Sequence, residues 1–224
     1  MNITRTVEKI AEFVVGCDNQ AVSPEVRDTI GKHLLDSIGC AIGAIGAKTT
    51  LHIKSVVDSF GGKPTCTLIG GGQSSPDRAA LYNGCLVRYL DFMDSYLRPD
   101  EVSHPCDNIM AVLAAAEDLG ASGQDFVTAV CISFEIQNHL LDLPTMRAGV
   151  NYTTPLAFSV AAGVSKVLGL DAQHTATFVP STRLTPKPSS TSMRRWRRVP
   201  TMSLQVAPTV RRRNAGLRSR QITT

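Results

Sequence analysis

Acidic, hydroxyl and imidazole side chains that could transfer protons lie close together between residues 91 and 104. Asp91, Asp94 and Ser95 belong to the segment LDFMDS, and His104 follows in the segment SHPCDN. Histidine changes charge near neutral pH, so it is the side chain most often used as a general acid or base. Two carboxylates, one hydroxyl and one imidazole on two short, adjacent segments could therefore form an acid/base site.

The residues around His104 predict that it stands at the start of a helix. Ser103 and His104 precede Pro105, and proline is favoured at the first position of a helix. The positive end of the helix dipole disfavours a protonated imidazole. We therefore expect His104 in its neutral form, which can accept a proton.

A second helix is predicted to carry the acidic residues. Ser75, Pro76 and Asp77 are typical of a helix start, and Pro99 should end the helix. One side is apolar from Leu81 to Tyr96, and the other side is polar. The polar side contains Asn83, Arg88, Asp91, Asp94 and Ser95. A surface helix with one solvated side would show the same pattern.

The segments LYNGCLVRYLDFMDS and SHPCDN resemble the N-terminal part of the MmgE/PrpD family, which includes 2-methylcitrate dehydratases and cis-aconitate decarboxylases. Its members carry Asn-Gly, then Leu-Asp-Phe-x-Asp, then His-Pro before an alanine-rich helix. The resemblance implies that Asp91, Ser95 and His104 occupy active-site positions. It also implies removal of water or CO₂ from a citrate-like acid, with no metal and no other cofactor.

A citrate-like substrate carries three carboxylates, so its site needs cations. Arg88 and Arg147 lie nearest to the candidate site in sequence, and we predict that both bind substrate together with Asp94 and Asn83. By resemblance, relatives take essential lysines from a later half that this chain lacks. We therefore expect weak or no activity of this polypeptide.

Relatives often carry a further functional histidine before a later helix. Asn151 and Tyr152 stand at that position here, and this leaves a strict dehydratase or decarboxylase assignment open. Dehydratase, decarboxylase and epimerase activities remain alternatives.

Helical periodicity dominates the chain and predicts an all-α, multi-helix bundle-like domain over residues 1–178. One strand-like piece, residues 64–69, precedes three glycines. The other predicted helices span residues 6–15, 24–45, 50–60, 105–119, 123–143, 155–168 and 172–178.

The helix over 24–45 has a predicted buried stripe, and its glycines suggest a closely packed neighbouring helix. The stripe comprises Val26, Ile30, Leu34, Ile38, Ala41 and Ile45. His33 and Asp36 on this helix are interpreted as structural or solvated.

The charge divides the chain into two parts. Residues 1–178 contain 12 basic and 19 acidic residues, a net charge of −7, whereas residues 179–224 contain 11 basic residues and no acid. The second part lacks periodicity, and we predict a disordered basic tail or a shifted reading frame. A nucleic-acid-binding tail and a non-catalytic helical scaffold are alternative functions.

The expected partners are a small carboxylic acid and a second copy of the chain, without nucleic acid or a membrane. No long apolar run or signal peptide is present, and the cysteines lack a C-x-x-C pair. These features favour a cytoplasmic protein with reduced thiols.

Overall fold

A computed structural model of the chain describes residues 4–98, 102–142 and 151–179. Helices dominate these residues, so the all-α prediction is confirmed. The helices are α1 (Thr4–Gly16), α2 (Pro24–Gly43), α3 (Lys48–Phe60), α4 (Pro76–Tyr89), α5 (Ile109–Leu119), α6 (Gly123–Leu141), α7 (Thr153–Val167) and α8 (Ala172–Phe178).

Two short antiparallel hairpins and one 3₁₀ turn connect the helices. Strand β1 (Cys66–Thr67) pairs with β2 (Gln73–Ser74), and β3 (Tyr96–Leu97) pairs with β4 (Val102–Ser103). The strand-like segment at 64–69 is thus confirmed only for its two central residues. Glycines 70, 71 and 72 make the β1–β2 turn with positive φ angles, which glycine adopts without a steric penalty.

The central helix is α6, as its nearly uniform apolar sequence predicts. It packs against α7, and α4 packs against α5. The Ser122 side chain caps α6 by accepting a hydrogen bond from the Asp125 N–H. Phe134 and Ile136 of α6 lie in the core.

The prediction that α4 continues to Pro99 is wrong. The helix ends at Tyr89, and Asp91 then adopts a φ of 50°. This left-handed conformation terminates a right-handed helix, and the Asp91 N–H donates to the Arg88 carbonyl. Asp94 and Ser95 therefore lie in the loop before β3 rather than on a helix.

The predicted division of α4 into apolar and polar sides is also partly wrong. Tyr82 and Leu86 are buried as expected, but Leu81 is exposed. Asn83, which we placed on the solvated side, is only 2% exposed, and Val87 is buried as well. Contacts with β1 and α5, which are not local in sequence, set which side of α4 faces inwards.

The predicted stripe of α2 is correct at Val26, Ile30 and Ala41 and wrong at Ile38 and Ile45, which are exposed. Ser37 and Cys40 are buried in addition.

The glycines of α2 mostly face open space. No atom lies within 4 Å of a Cβ built on Gly31 or Gly39, so no helix of the described residues packs closely there. Gly43 does have a close neighbour, because Leu90 Cδ1 would lie 3.0 Å from its Cβ.

Among the described helices, none is by itself long and apolar enough to cross a membrane. Helices α2 and α3 reach the required length and hydropathy only when taken together, and they are bent by 94°.

Two predicted features lie outside the described residues. Arg147 is one, and the tail beyond Val179 is the other. The boundary between residues 178 and 179 remains a prediction.

Candidate active site

His104 lies immediately before the 3₁₀ turn Pro105–Asn108, which leads directly into α5. The prediction that His104 caps a helical segment beginning with Pro105 is confirmed, although the first four residues are 3₁₀ rather than α. The turn forms because Pro105 suits a first helical position, and the Asp107 N–H donates to the His104 carbonyl. His104 is held at the mouth of a buried segment and is itself partly exposed.

One ring nitrogen of His104 makes a hydrogen bond with the backbone. Its Nδ1 lies 2.7 Å from the carbonyl oxygen of Asp94. A carbonyl can only accept a hydrogen bond, so Nδ1 carries the proton in this arrangement. The neutral ring then has an unprotonated Nε2, which is the form that can act as a base.

Ser95 and Tyr152 flank the same imidazole. The Ser95 hydroxyl oxygen lies 3.5 Å from His104 Nδ1. The Tyr152 ring meets the imidazole edge to face, with 5.7 Å between ring centroids. The structure therefore brings together two of the three predicted catalytic residues, Ser95 and His104, and adds Tyr152.

Asp91, the third predicted catalytic residue, is exposed at the end of α4. The carbonyl of Asp94, not the Asp91 carboxylate, makes the 2.7 Å contact with His104 Nδ1. A contact between Asp91 and a substrate remains a prediction.

Asp94 is buried, with a side chain only 4% exposed. Its Oδ1 accepts a 3.1 Å hydrogen bond from the Cys106 N–H. Its Oδ2 lies 2.9 Å from His33 Nδ1, which is within ion-pair distance. Asp94 Oδ2 accepts no hydrogen bond from the described residues, so its contact with His33 Nδ1 is not aligned as a hydrogen bond.

Asn83 bridges α4 to the β1–β2 hairpin. Its amide NH₂ donates to the Thr67 carbonyl at 2.8 Å, and its amide oxygen accepts from the Ile69 N–H at 2.9 Å. Both ends of the amide are therefore occupied by backbone groups. Its predicted contact with substrate is untested, and its observed role is to hold the hairpin.

Asp107 is an ionisable neighbour of His104 that the sequence reasoning missed. Its Oδ1 lies 3.7 Å from Arg88 Nε, and its Oδ2 accepts a 3.3 Å hydrogen bond from the Tyr152 hydroxyl. Burial raises the pKa of the Asp107 carboxyl, although Arg88, His104 and Tyr152 each act to lower it. Its place in SHPCDN, three residues after His104, was the available signal.

Arg88, a predicted substrate-binding residue, therefore already faces an acidic side chain. Its separation from Asp107 is longer than a hydrogen bond, and Arg88 Nη1 is buried without a hydrogen-bond partner. The guanidinium is thus incompletely satisfied among the described residues, and an added carboxylate would improve its hydrogen bonding.

Buried amides fix the turn that carries Asp107. The Asn108 NH₂ donates to the Pro105 carbonyl at 2.9 Å and to Gln137 Oε1 at 2.5 Å. Its amide oxygen accepts a 2.7 Å hydrogen bond from the Ser159 hydroxyl. Three segments, the 3₁₀ turn, α6 and α7, are thereby tied together directly behind the site.

The thiol beside the site is not suited to nucleophilic chemistry. Burial, reinforced by the charge of Asp94, raises the pKa of Cys106. A thiol with a raised pKa stays protonated near neutral pH and is a weak nucleophile. Within the ranges that the structure describes, no group of three or more His, Cys, Asp or Glu side chains could hold a metal ion.

The match to a family model covers most of the chain. The N-terminal domain of MmgE/PrpD matches residues 8–218. The chain belongs to the MmgE/PrpD family. The match extends across much of the segment that we predicted to be a separate tail.

Curated relatives of the chain include 2-methylcitrate dehydratases. The mitochondrial 2-methylcitrate dehydratase of Yarrowia lipolytica is 28% identical over 189 residues, which cover 78% of this chain and 36% of the relative. The 2-methylcitrate dehydratase of Escherichia coli K12 is 29% identical over 180 residues, covering 74% of this chain and 36% of the relative. The chain therefore spans about a third of the length of these relatives.

Proposed function

We propose that this MmgE/PrpD-family chain supplies the proton-transfer part of a lyase site for a citrate-like tricarboxylic acid. The reaction is 2-methylcitrate dehydration or cis-aconitate decarboxylation. The observation that carries the proposal is the 2.7 Å contact between His104 Nδ1 and the Asp94 carbonyl, which leaves Nε2 as the free base. The names of the curated relatives support a substrate of this class.

In a dehydration, a base removes a proton from the carbon next to a carboxylate, and a hydroxyl group leaves as water after an acid protonates it. His104 Nε2 is suited to the first proton transfer. In a decarboxylation, a C–C bond breaks, CO₂ leaves, and the carbanion takes a proton, which His104 can deliver once it is protonated. His104 thus transfers a proton in both reactions, as a base in the dehydration and as an acid in the decarboxylation.

The neighbouring side chains suit the remaining needs of such a reaction. Arg88, whose Nη1 has no hydrogen-bond partner among the described residues, can pair with a substrate carboxylate. Ser95, 3.5 Å from His104 Nδ1, can hydrogen-bond a substrate oxygen, and exposed Asp91 can contact a substrate hydroxyl. We expect weak or no turnover by the 224-residue polypeptide, because few cations of the described residues lie near His104 and a trianion needs several.

Substrate binding tests this proposal even if turnover is weak. Titration of the ¹⁵N-labelled chain with 2-methylcitrate or cis-aconitate should shift the His104 side-chain NMR signals in a saturable way. Arg88→Gln should weaken binding about tenfold, as expected for loss of a charge-assisted hydrogen bond worth roughly 1.5 kcal/mol. The neutral glutamine retains a donor but no charge.

A matched control separates this effect from general salt effects. His174 is exposed on α8 and pairs with Asp171, so its signals should not respond to either acid beyond the response to chloride of equal ionic strength. Equal responses of His104 and His174, or no His104 response at millimolar acid, would contradict the proposal. Turnover is measured in parallel from the ultraviolet absorbance of the unsaturated acid.

We also propose that the chain forms a homodimer through an apolar surface on α2. Leu35 is 73% exposed and Ile42 58% exposed, and they lie on one side of the helix with Ile38 and Gly39. We call these four residues the α2 outer face. A face that is apolar and has no bulky polar side chain is suited to packing against its own copy about a two-fold axis.

A further inference from the structure

Asp94 contacts different parts of the site through its two ends. Its buried carboxylate faces His33 of α2 at 2.9 Å and accepts from the Cys106 N–H at 3.1 Å. Its backbone carbonyl accepts from His104 Nδ1 at 2.7 Å. The position of the carbonyl that orients His104 therefore depends on what holds the carboxylate.

The loop that contains Asp94 has little regular structure to hold it. Asp94 lies between the end of α4 at Tyr89 and the two-residue strand Tyr96–Leu97. Its carboxylate contacts attach this loop to α2 and to the 3₁₀ turn, in addition to the burial of Met93 in the core. Of the two partners, only His33 belongs to another long helix.

Other acidic and titratable groups surround the Asp94 carboxylate, so its contact with His33 matters for its stability. Asp36, one turn further along α2, is a second acid near Asp94, and burial followed by the Asp94 charge raises the pKa of Asp36. The other titratable groups near Asp94 are His104, Cys40 of α2, and Cys106 and Asp107 of the 3₁₀ turn. A buried carboxylate among other acids is costly unless a cation or strong donor compensates it.

His33 is itself held in place. Its ring packs edge to face against Phe134 of α6, with 5.4 Å between ring centroids. Only 14% of its side chain is exposed. The imidazole thus has a defined orientation next to the Asp94 carboxylate, between α2 and the central helix.

We infer that His33 is a positioning residue for His104 and acts through Asp94. By anchoring the carboxylate to α2, His33 holds the Asp94 carbonyl at the distance that keeps the proton of His104 on Nδ1. The inference rests on the proposed proton-transfer role of His104. It states that the His33–Asp94 contact determines which ring nitrogen of His104 carries the proton. The sequence analysis interpreted His33 as structural or solvated, and the inference adds a specific role to that interpretation, which is to position His104.

Long-range ¹H–¹⁵N NMR spectra of the histidine side chains test this inference without substrate. These spectra distinguish which ring nitrogen carries the proton. The wild-type chain should show His104 protonated on Nδ1 at a pH where the ring is neutral. His33→Leu, which keeps an apolar contact with Phe134 but removes the polar nitrogen, should abolish this preference.

Two further variants complete the test. His33→Asn keeps a polar side chain that cannot carry a charge, and it should not restore the Nδ1–H pattern of His104, because the His33–Asp94 contact is a charge contact rather than an aligned hydrogen bond. His52→Leu, at an exposed position of α3, should leave the pattern unchanged. If His33→Leu does not fold, Asp94→Asn replaces it, because the neutral amide removes the ion pair with little change in volume.

The inference is overturned if wild-type His104 carries its proton on Nε2. It is also overturned if folded His33→Leu or Asp94→Asn retains the wild-type pattern. These outcomes are separate from those of the proposed function. A chain that shows the expected pattern and its loss in His33→Leu, but binds neither acid, would contradict the lyase proposal and support the role of His33.

Discussion

Asp91 adopts a positive φ of 50°, a conformation that non-glycine residues rarely occupy. Aspartate tolerates it better than most residues, because its short polar side chain can bond locally. The same backbone conformation ends α4 and directs the chain towards Asp94. Asp91, which we predicted to be catalytic, therefore also ends α4 through its backbone conformation, independently of its carboxylate.

The conformation of Asp91 predicts how substitutions there change stability. Asp91→Val should lower the free energy of unfolding by about 1–2 kcal/mol, because a β-branched side chain clashes in the left-handed region. Asp91→Gly should be neutral or slightly stabilising in urea unfolding followed by circular dichroism. As a control, Phe92→Val at the neighbouring exposed position should change stability by less than about 0.5 kcal/mol. Equal changes in the free energy of unfolding for Asp91→Val and Phe92→Val would contradict this prediction.

Asp107 predicts a particular dependence of stability on pH. Burial raises its pKa in the fold, so the fold favours the protonated carboxyl. This contribution is present below the ordinary value of 3.8 and is lost as the pH rises through the raised value. Asp107→Asn stays neutral, so its free energy of unfolding relative to wild type should increase across that window. Urea unfolding at a series of pH values measures the difference.

Asp171 provides a control of opposite sign. The hydrogen bond from the His174 N–H, where Asp171 caps α8, lowers the pKa of this carboxyl. Its stabilising contribution is therefore present above the ordinary aspartate value and is lost as the pH falls through the lowered value. Relative to wild type, Asp171→Asn should lose stability as the pH rises. The same pH trend for both variants would contradict the interpretation of Asp107.

The close packing of α7 against α5 and α6 depends on Gly163. A Cβ at this position would meet the Ser133 hydroxyl and would lie 2.9 Å from Val112 Cγ2 and 3.0 Å from the Ala129 carbonyl oxygen. The nearest backbone atom cannot move without displacing α6. We therefore expect Gly163→Ala to destabilise the fold by about 1–3 kcal/mol in urea unfolding.

Gly39 of α2 is the matched control for Gly163. It is also within a helix, but its built Cβ has no neighbour within 4 Å. Gly39→Ala should stabilise the monomer by up to about 1 kcal/mol, because alanine has the higher helix propensity. A destabilising Gly39→Ala together with a neutral Gly163→Ala would show that the packing is not as described.

The start of the segment carrying His104 was predictable because its signals are local. Proline after histidine, and serine three residues before the aspartate of α6, mark helix starts through neighbouring groups. The end of α4 was not predictable, since it depends on the unusual φ of Asp91 rather than on a glycine or proline. Likewise, Asn83 is buried through bonds to Thr67 and Ile69, which no helical periodicity reveals.

The candidate site was predictable in part for the same reason. His104 and Ser95 lie within ten residues of each other and meet in the structure. Asp107 and Tyr152 meet across 45 residues, and His33 and Asp94 meet across 61. Such pairings depend on how α2, α4 and α7 pack, so a single sequence contains no direct signal for them.

The exposed side of α2 carries large apolar side chains. Leu35, Ile38 and Ile42 recur at helical spacing on a side with no close neighbour at Gly39. An apolar stripe of this kind normally contacts another helix. The proposed homodimer would cover it with the same face of a second copy, and the absence of a Cβ at Gly39 would allow the two backbones to approach closely.

The double substitution Leu35→Glu and Ile42→Glu tests the homodimer. Two added charges on each α2 outer face would be buried against like charges, so the dimer should dissociate at least a hundredfold more readily, equivalent to roughly 3 kcal/mol. Sedimentation velocity over a range of protein concentrations measures this change. Leu119→Glu, at an equally apolar but separate site that is 51% exposed, should leave the dimer intact. A wild-type chain that sediments as a monomer at high concentration, or equal weakening by Leu119→Glu, would contradict self-association through α2, because only a shared two-fold face makes the dimer selectively sensitive to Leu35 and Ile42.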